Sequence, residues 1–248
     1  MQLTILGNSG TFPAPGRPCS SYLVEHEGFR LLVDAGNGAL GALQAHCGLL
    51  DVDAIVLSHL HGDHCLDLVA YSYARRYHPD GMAPRLPVWG PRGTQRRLCG
   101  AFETWPSDQL DDVFDFHELA VGTVEVGPFA VTADHVSHPI DAFGLRISAG
   151  GRSLAYSGDT APCDPLDVLA AGVDVFLCEA SWLHSADNPV GVHMSGREAG
   201  ESATRAAVGR LLLTHIVPWV DPQAALAEAG TTFSGHLGLA EQGRTYDF

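Results

Sequence analysis

Six successive positions, His59-Leu60-His61-Gly62-Asp63-His64, carry four side chains that bind divalent cations through imidazole nitrogen or carboxylate oxygen. They follow the apolar run Asp53-Ala54-Ile55-Val56-Leu57-Ser58, which reads as a strand. In an extended segment His59 and His61 project to one side, and Gly62 permits a turn that swings Asp63 and His64 toward a second point. Four ligand-type residues in so short a stretch suit two metal ions. With 13 histidines in 248 residues, chance produces this pattern on the order of a few times per thousand such chains.

One segment cannot close two coordination shells, so further ligands must come from other strand ends. Three candidates sit just beyond apolar runs: His138 in Val136-Ser137-His138-Pro139, Asp159 in Ser157-Gly158-Asp159-Thr160, and His215 closing Leu211-Leu212-Leu213-Thr214-His215. Loops leaving strand ends can aim such groups into a shared cleft.

The elements that would position them are legible as short β-branched or Leu-rich runs at 2–6, 21–25, 30–33, 53–58, 129–133, 142–148, 153–157, 174–179 and 211–214. Ser195-Gly196-Arg197-Glu198 is a capping box, and Asp221-Pro222 supplies an N-cap followed by proline at the first helical position. Residues 62–78 predict another helix, stopped at Pro79. The segment 78–122, with Pro79, Pro84, Pro87, Pro91 and Pro106 and the acidic Asp108, Asp111 and Asp112, reads as excursions over the surface. No linker or internal repeat is visible, so residues 1–248 are expected to form one α/β domain.

Composition narrows the chemistry. The formal charge is −15, and all 14 basic residues are arginine. A broad surface for long nucleic acid is therefore unexpected, although a local arginine site is not. Without lysine there is no Schiff-base lysine, lysine general base or P-loop lysine. Cys19, Cys47, Cys65, Cys99, Cys163 and Cys178 form no CxxC pair, which argues against a cysteine zinc knuckle. The N-terminus lacks a charged region followed by an apolar one, and no run approaches 18 apolar residues, so a soluble cytoplasmic protein with no membrane partner is expected.

Asp34 in Leu32-Val33-Asp34-Ala35-Gly36, the HxHxDH string, His138, Asp159 and His215 together resemble the metallo-β-lactamase superfamily over essentially the whole chain. The resemblance implies a four-layer αββα sandwich with a dinuclear site, usually zinc, in a cleft at one edge of two sheets. It implies that His59, His61 and His138 hold the first metal, that Asp63, His64 and His215 hold the second, and that Asp159 bridges them. Asp34 matches the position that supports the site from behind. His61 in place of glutamate matches the hydrolytic members rather than the redox di-iron branch. Two Zn2+ are the implied cofactors, with Mn2+ or iron as alternatives for such ligands.

Cys178-Glu179-Ala180-Ser181-Trp182 and Val192-His193-Met194-Ser195 are similar to signatures of ribonuclease Z and its phosphodiesterase relatives. That likeness implies phosphodiester substrates, with Asp63, His193 and Glu179 as the catalytic set and His193, oriented by Glu179, either giving a proton to the departing oxygen or stabilising a phosphoryl oxygen. Ribonuclease Z carries a protruding arm between the positions of His138 and Asp159; here only 21 positions separate them, leaving room for a turn and one more strand.

Gly38-Ala39-Leu40-Gly41-Ala42-Leu43-Gln44, Arg75-Arg76-Tyr77-His78-Pro79, Ser153 to Thr160 and Val175 to Trp182 resemble the actinobacterial atypical class II cyclic-nucleotide phosphodiesterases. This implies hydrolysis of 3′,5′-cyclic AMP or related cyclic nucleotides to the 5′-monophosphate, with a small nucleotide as substrate and a homodimer as assembly, 78–122 being one candidate contact. Phe143, Trp182, Trp219 and Tyr77 are candidate base platforms and Arg75 and Arg76 candidate phosphate contacts, although core packing for the aromatics and a helix-dipole role for the arginines are the stronger readings. The alternatives are a ribonuclease Z-like endoribonuclease acting on transfer-RNA 3′ ends, a lactone or thioester hydrolase of the same fold, and, outside enzymes, a zinc-dependent nucleotide-sensing module.

Overall fold

The computed structural model describes residues 1–101 and 109–248. The first half of the chain builds one sheet from β1 (Gln2–Gly7), β2 (Ser21–His26), β3 (Phe29–Val33), β4 (Ala54–Val56), β5 (Leu86–Gly90) and β6 (Phe114–Glu118). Helices α1 (Ala39–Leu43), α2 (Gly62–Cys65), α3 (Asp67–Arg76) and α4 (Thr94–Gly100) fall between them. The second half supplies β7 (Gly122–Val126), β8 (Phe129–His135), β9 (Phe143–Ala149), β10 (Arg152–Tyr156), α5 (Asp164–Ala170), β11 (Val175–Glu179), α6 (Gly196–Arg205), β12 (Arg210–Thr214), α7 (Pro222–Gly230) and β13 (His236–Leu239). β14 (Thr245–Asp247) returns to pair with β1, giving the orders β14-β1-β2-β3-β4-β5-β6 and β13-β12-β11-β10-β9-β8-β7.

Alternation along the strands explains the layering. Leu3, Ile5, Tyr22, Val24, Leu31 and Val33 meet Phe129, Val131, Leu145, Ile147, Tyr156 and Leu177 between the sheets. Their neighbours Leu6, Leu23, Leu32 and Ile55 point the other way, onto Leu43, Leu68, Tyr71 and Leu98 of α1, α3 and α4. On the far side Phe176, Cys178, Leu211 and Leu213 pack on Leu166, Ala199, Ala203 and Ala225 of α5, α6 and α7. Strands buried on both faces carry nearly continuous apolar runs, which is why they are visible in the sequence. The result is the expected αββα sandwich.

β3 to β6 run parallel, as do β10 to β13. Their C-terminal ends therefore share one edge, where loops leave for the helices and where such sheets place their sites. Asp34, His59, Asp159 and His215 each lie just past such an end.

The expectation for 78–122 is corrected. That segment supplies β5, α4 and β6, with β5 inside the sheet between β4 and β6. Pro87 sits within β5 opposite Asp115, and the prolines around it mask a five-residue strand whose buried positions alternate. Asp112 is held by Arg76, while Pro106 and Asp108 lie outside the described residues. The expected 62–78 helix divides into α2 and α3 at Leu66. The short strands β7, β13 and β14 also escaped the sequence reading. Both predicted caps are present: Ser195 and Glu198 form the reciprocal box, and Asp221 accepts from the Gln223 N–H. Among the described residues no helix is long and apolar enough to cross a membrane.

Candidate metal centre

The seven ligand-type residues separated by up to 156 positions converge at the shared edge. Donor atoms of His59, His61, His138 and Asp159 lie within 4.8 Å of one another, as do those of Asp63, His64, Asp159 and His215, so Asp159 belongs to both groups. In the first, His61 Nδ1 is 3.2 Å from His59 Nε2 and 3.2 Å from His138 Nε2. In the second, Asp159 Oδ1 is 3.2 Å from His64 Nε2, while His215 Nε2 is 3.2 Å from Asp63 Oδ2 and 3.4 Å from Asp159 Oδ2. Ligands about 2.05 Å from a tetrahedral cation are separated by about 3.3 Å.

Hydrogen bonds behind the rings decide which nitrogens face inward. Ser58 Oγ gives its proton to Asp34 Oδ2 at 2.8 Å, so it accepts from His59 Nδ1 at 3.1 Å, leaving the His59 Nε2 lone pair toward the cluster. Ser181 repeats the device on the other sheet: its hydroxyl donates to Glu179 Oε2 at 2.8 Å and accepts from His215 Nδ1 at 2.9 Å. His138 Nδ1 donates to the Val192 carbonyl at 2.9 Å, and His64 Nδ1 donates to Asp34 Oδ2 at 2.7 Å. With both Nε2 atoms beside His61 Nδ1 unprotonated, at most one of those contacts is a hydrogen bond. His64 Nε2 and Asp159 Oδ1 are buried without any hydrogen-bond partner. Inward lone pairs at coordination spacing, with orphaned buried donors among them, fit a pair of divalent cations.

The electrostatics agree. Burial, then the charge of neighbouring imidazoles, holds His59 well below the usual histidine range, and burial with His138 nearby lowers His61. Burial opposes protonation of His64 too, but Asp159 and Asp34 override it and raise that ring well above its ordinary value. Asp159 is held well below the carboxylate range by His215, His64 and His59 despite its burial. Burial pushes the nearby Cys19 and Cys65 thiols up to about 12, so neither offers a thiolate.

Glu179 forms a second hub. It accepts the Thr160 N–H at 2.6 Å, next to Asp159, and its Oε1 lies 2.9 Å from His193 Nδ1. The His193 ring sits 5.5 Å from that of His138 and 5.4 Å from that of His215, facing both groups. Burial works against its charge, yet Glu179 raises His193 to about 9.

Local backbone serves these positions. Asp34 and His215 adopt φ of 56° and 52°, left-handed conformations that non-glycine residues rarely hold and that swing each side chain out of its strand line. Gly36 is required by close approach: a Cβ there would meet the Asp63 carbonyl oxygen at 1.9 Å.

The other candidates divide. Phe143 is buried in packing, and Arg75 is buried with its guanidinium donating to the Pro84 carbonyl, whereas Trp182 is only half-buried, its ring 5.0 Å from that of His193. Arg76 is committed to Asp112. Tyr77 and Trp219 are 69% and 73% exposed. Trp219 lies 5.2 Å from Phe12, which follows Thr11, whose N–H donates to Asp63 Oδ2 at 2.9 Å. Thr11, Phe12, Ser58, Tyr156 and Ser181 were not singled out from sequence. Ser58 and Ser181 stand beside quoted motif residues, whereas Tyr156, 2.8 Å from Asp34 Oδ2, reads only as a strand residue.

Fold and site together define a metallo-β-lactamase-fold hydrolase. Residues 29–216 match the Beta-lactamase superfamily domain, and the chain belongs to that superfamily, in its ribonuclease Z-like branch. It is 45% identical to an uncharacterized protein of Mycobacterium tuberculosis over 252 residues, covering 100% of this chain and 92% of that one. It is 31% identical to ribonuclease Z of Mycobacterium bovis over 272 residues, covering 96% and 94%. The crystal structure of the metallo-β-lactamase fold protein YhfI from Bacillus subtilis superposes with a TM-score of 0.88 at 27% identity, covering 99% of each chain.

Proposed function

We propose that this hydrolase is a phosphodiesterase carrying two zinc ions, with manganese or iron as alternative occupants, and that it opens 3′,5′-cyclic AMP or a related cyclic nucleotide to the 5′-monophosphate. The observation that carries the reading is the Glu179–His193 pair beside two donor groups that share Asp159: an imidazole held by a carboxylate stands where a departing oxygen needs a proton.

Divalent cations, when bound, supply positive charge against phosphoryl oxygens and make water more acidic. His59, His61, His138 and Asp159 would hold one ion, and Asp63, His64, Asp159 and His215 the other. Water attacks phosphorus in line with the 3′ oxygen; the new P–O bond forms as the P–O3′ bond breaks. His193 gives its Nε2 proton to the 3′ oxygen, and Glu179 keeps the Nδ1 side of the ring fixed. Asp63, its Oδ2 held by the Thr11 N–H, leaves Oδ1 to take the proton that water loses.

The segment between His138 and Asp159 holds only β9, β10 and their turns, which favours a small substrate over a gripped transfer RNA. Likeness to ribonuclease Z over nearly its full length makes an RNA phosphodiester the second reading. A second copy of the chain is the partner we propose. Parallel assays with 3′,5′-cyclic AMP and a transfer-RNA precursor decide between the readings: release of 5′-AMP with intact RNA supports the first, and RNA cleavage without 5′-AMP rejects it.

A further inference from the structure

Seven of the fourteen arginines, Arg30, Arg76, Arg85, Arg152, Arg197, Arg205 and Arg244, pair with carboxylates, as expected where 29 acidic residues surround 14 basic ones. Arg92, Arg96 and Arg97 do not. They are exposed within six positions of one another, in the turn after β5 and within α4, and no carboxylate among the described residues reaches them. Three like charges left together oppose one another unless an anion joins them.

Their place matters as much as their charge. β4 and β5 are parallel neighbours, so the turn after β5 lies beside the loop after β4 that carries His59 and His61. Arg97 Nε donates to the Leu60 carbonyl at 3.2 Å, between those two histidines, and its terminal nitrogens have no partner among the described residues. Arg92, Arg96 and Arg97 line a cavity of about 470 Å3 whose other walls include Leu60 and Leu66 on either side of α2. Guanidinium groups present paired N–H donors that match phosphate oxygens.

We propose that Arg92, Arg96 and Arg97 form a second anion subsite beside the metal cluster, taking a phosphate group that the substrate carries in addition to the scissile one. The inference rests on the phosphodiesterase reading and extends it: short linear nucleotides bearing a terminal phosphate join cyclic mononucleotides in the substrate class. The Arg75-Arg76 pair suggested by sequence is tied down elsewhere, and this cluster is the arginine site that the composition left open.

The test compares the linear diadenylate pApA, which has a 5′-phosphate, with ApA, which lacks it, on metal-free wild-type protein and on Arg92→Ser/Arg96→Ser. Equilibrium binding at two salt concentrations is the readout, because the subsite needs no metal; unchanged circular dichroism controls for folding. Removing the 5′-phosphate should weaken wild-type binding about tenfold and binding to the variant little, and the log–log salt slope for pApA should flatten by about 0.7 in the variant. An equal 5′-phosphate effect in both proteins, with equal slopes, overturns the subsite. Turnover of cyclic AMP by metal-loaded wild type is measured separately: its absence rejects the cyclic-nucleotide reading, while the binding difference judges the subsite.

Discussion

Asp34 Oδ2 lies 2.7 Å from His64 Nδ1, joining the end of β3 to the histidine motif behind the cluster. The same carboxylate accepts from the Ser58 N–H, the Ser58 hydroxyl and the Tyr156 hydroxyl. Four donors converge on one residue and through it orient two of the imidazoles. Asparagine tolerates the left-handed backbone at 34 but has one acceptor oxygen for those donors. Asp34→Asn should therefore lower affinity for divalent metal by roughly 10–100-fold with the fold intact, as measured by competition with a chromophoric chelator. Unchanged affinity would show that the ring needs no such support.

His193→Ala should retain metal but slow phosphodiester cleavage by roughly 10²–10⁴-fold, most with poor leaving groups. Because His193 is raised to about 9 from 6.5 in the folded, metal-free protein, its charge stabilises that protein below about pH 6.5. The contribution is lost as pH rises through about 9. Thermal unfolding of metal-free wild type should thus lose more stability than His193→Ala between those limits; parallel profiles would show that Glu179 does not hold a charged ring.

Metal uptake should release protons. His59, His61 and His138 are lowered and already neutral at pH 7, whereas His64 is raised and protonated. Binding a cation at His64 must displace that proton, so affinity should climb with pH, by up to about tenfold per unit below the His64 value. Titration calorimetry in buffers of different ionisation enthalpy reads the release directly. A heat independent of buffer would mean that His64 is neutral before metal arrives.

Trp219, 73% exposed against Phe12, stands four residues past His215. Stacking of a base on such a ring is worth roughly 1–3 kcal/mol, so Trp219→Ala should raise KM for a cyclic nucleotide by roughly 5–150-fold with kcat little changed. Steady-state kinetics across adenine, guanine and cytosine substrates checks it. A fall in kcat at constant KM would place this residue in the chemistry instead.

The site was more legible than the frame around it, for physical reasons. His59, His61, Asp63 and His64 are dense enough to stand out; Asp159 and His215 follow apolar runs buried on both faces, and His138 follows a strand whose buried positions alternate. β5 was hidden by Pro87 inside it, and β13 and β14 by their length and exposure. Ser58 and Ser181 carry roles that exist only in three dimensions, since a serine fixes the orientation of a ring only when a carboxylate and an imidazole meet it from different strands. Trp219 ran against the tendency of tryptophan near strands to be core: it stands exposed in the turn between β12 and the N-cap Asp221.

Anomalous diffraction from crystals loaded with zinc tests the central claim most directly. Two peaks are predicted, about 3.5–4 Å apart, one among His59, His61, His138 and Asp159 and one among Asp63, His64, Asp159 and His215. A single peak, or none within reach of Asp159, would contradict the account.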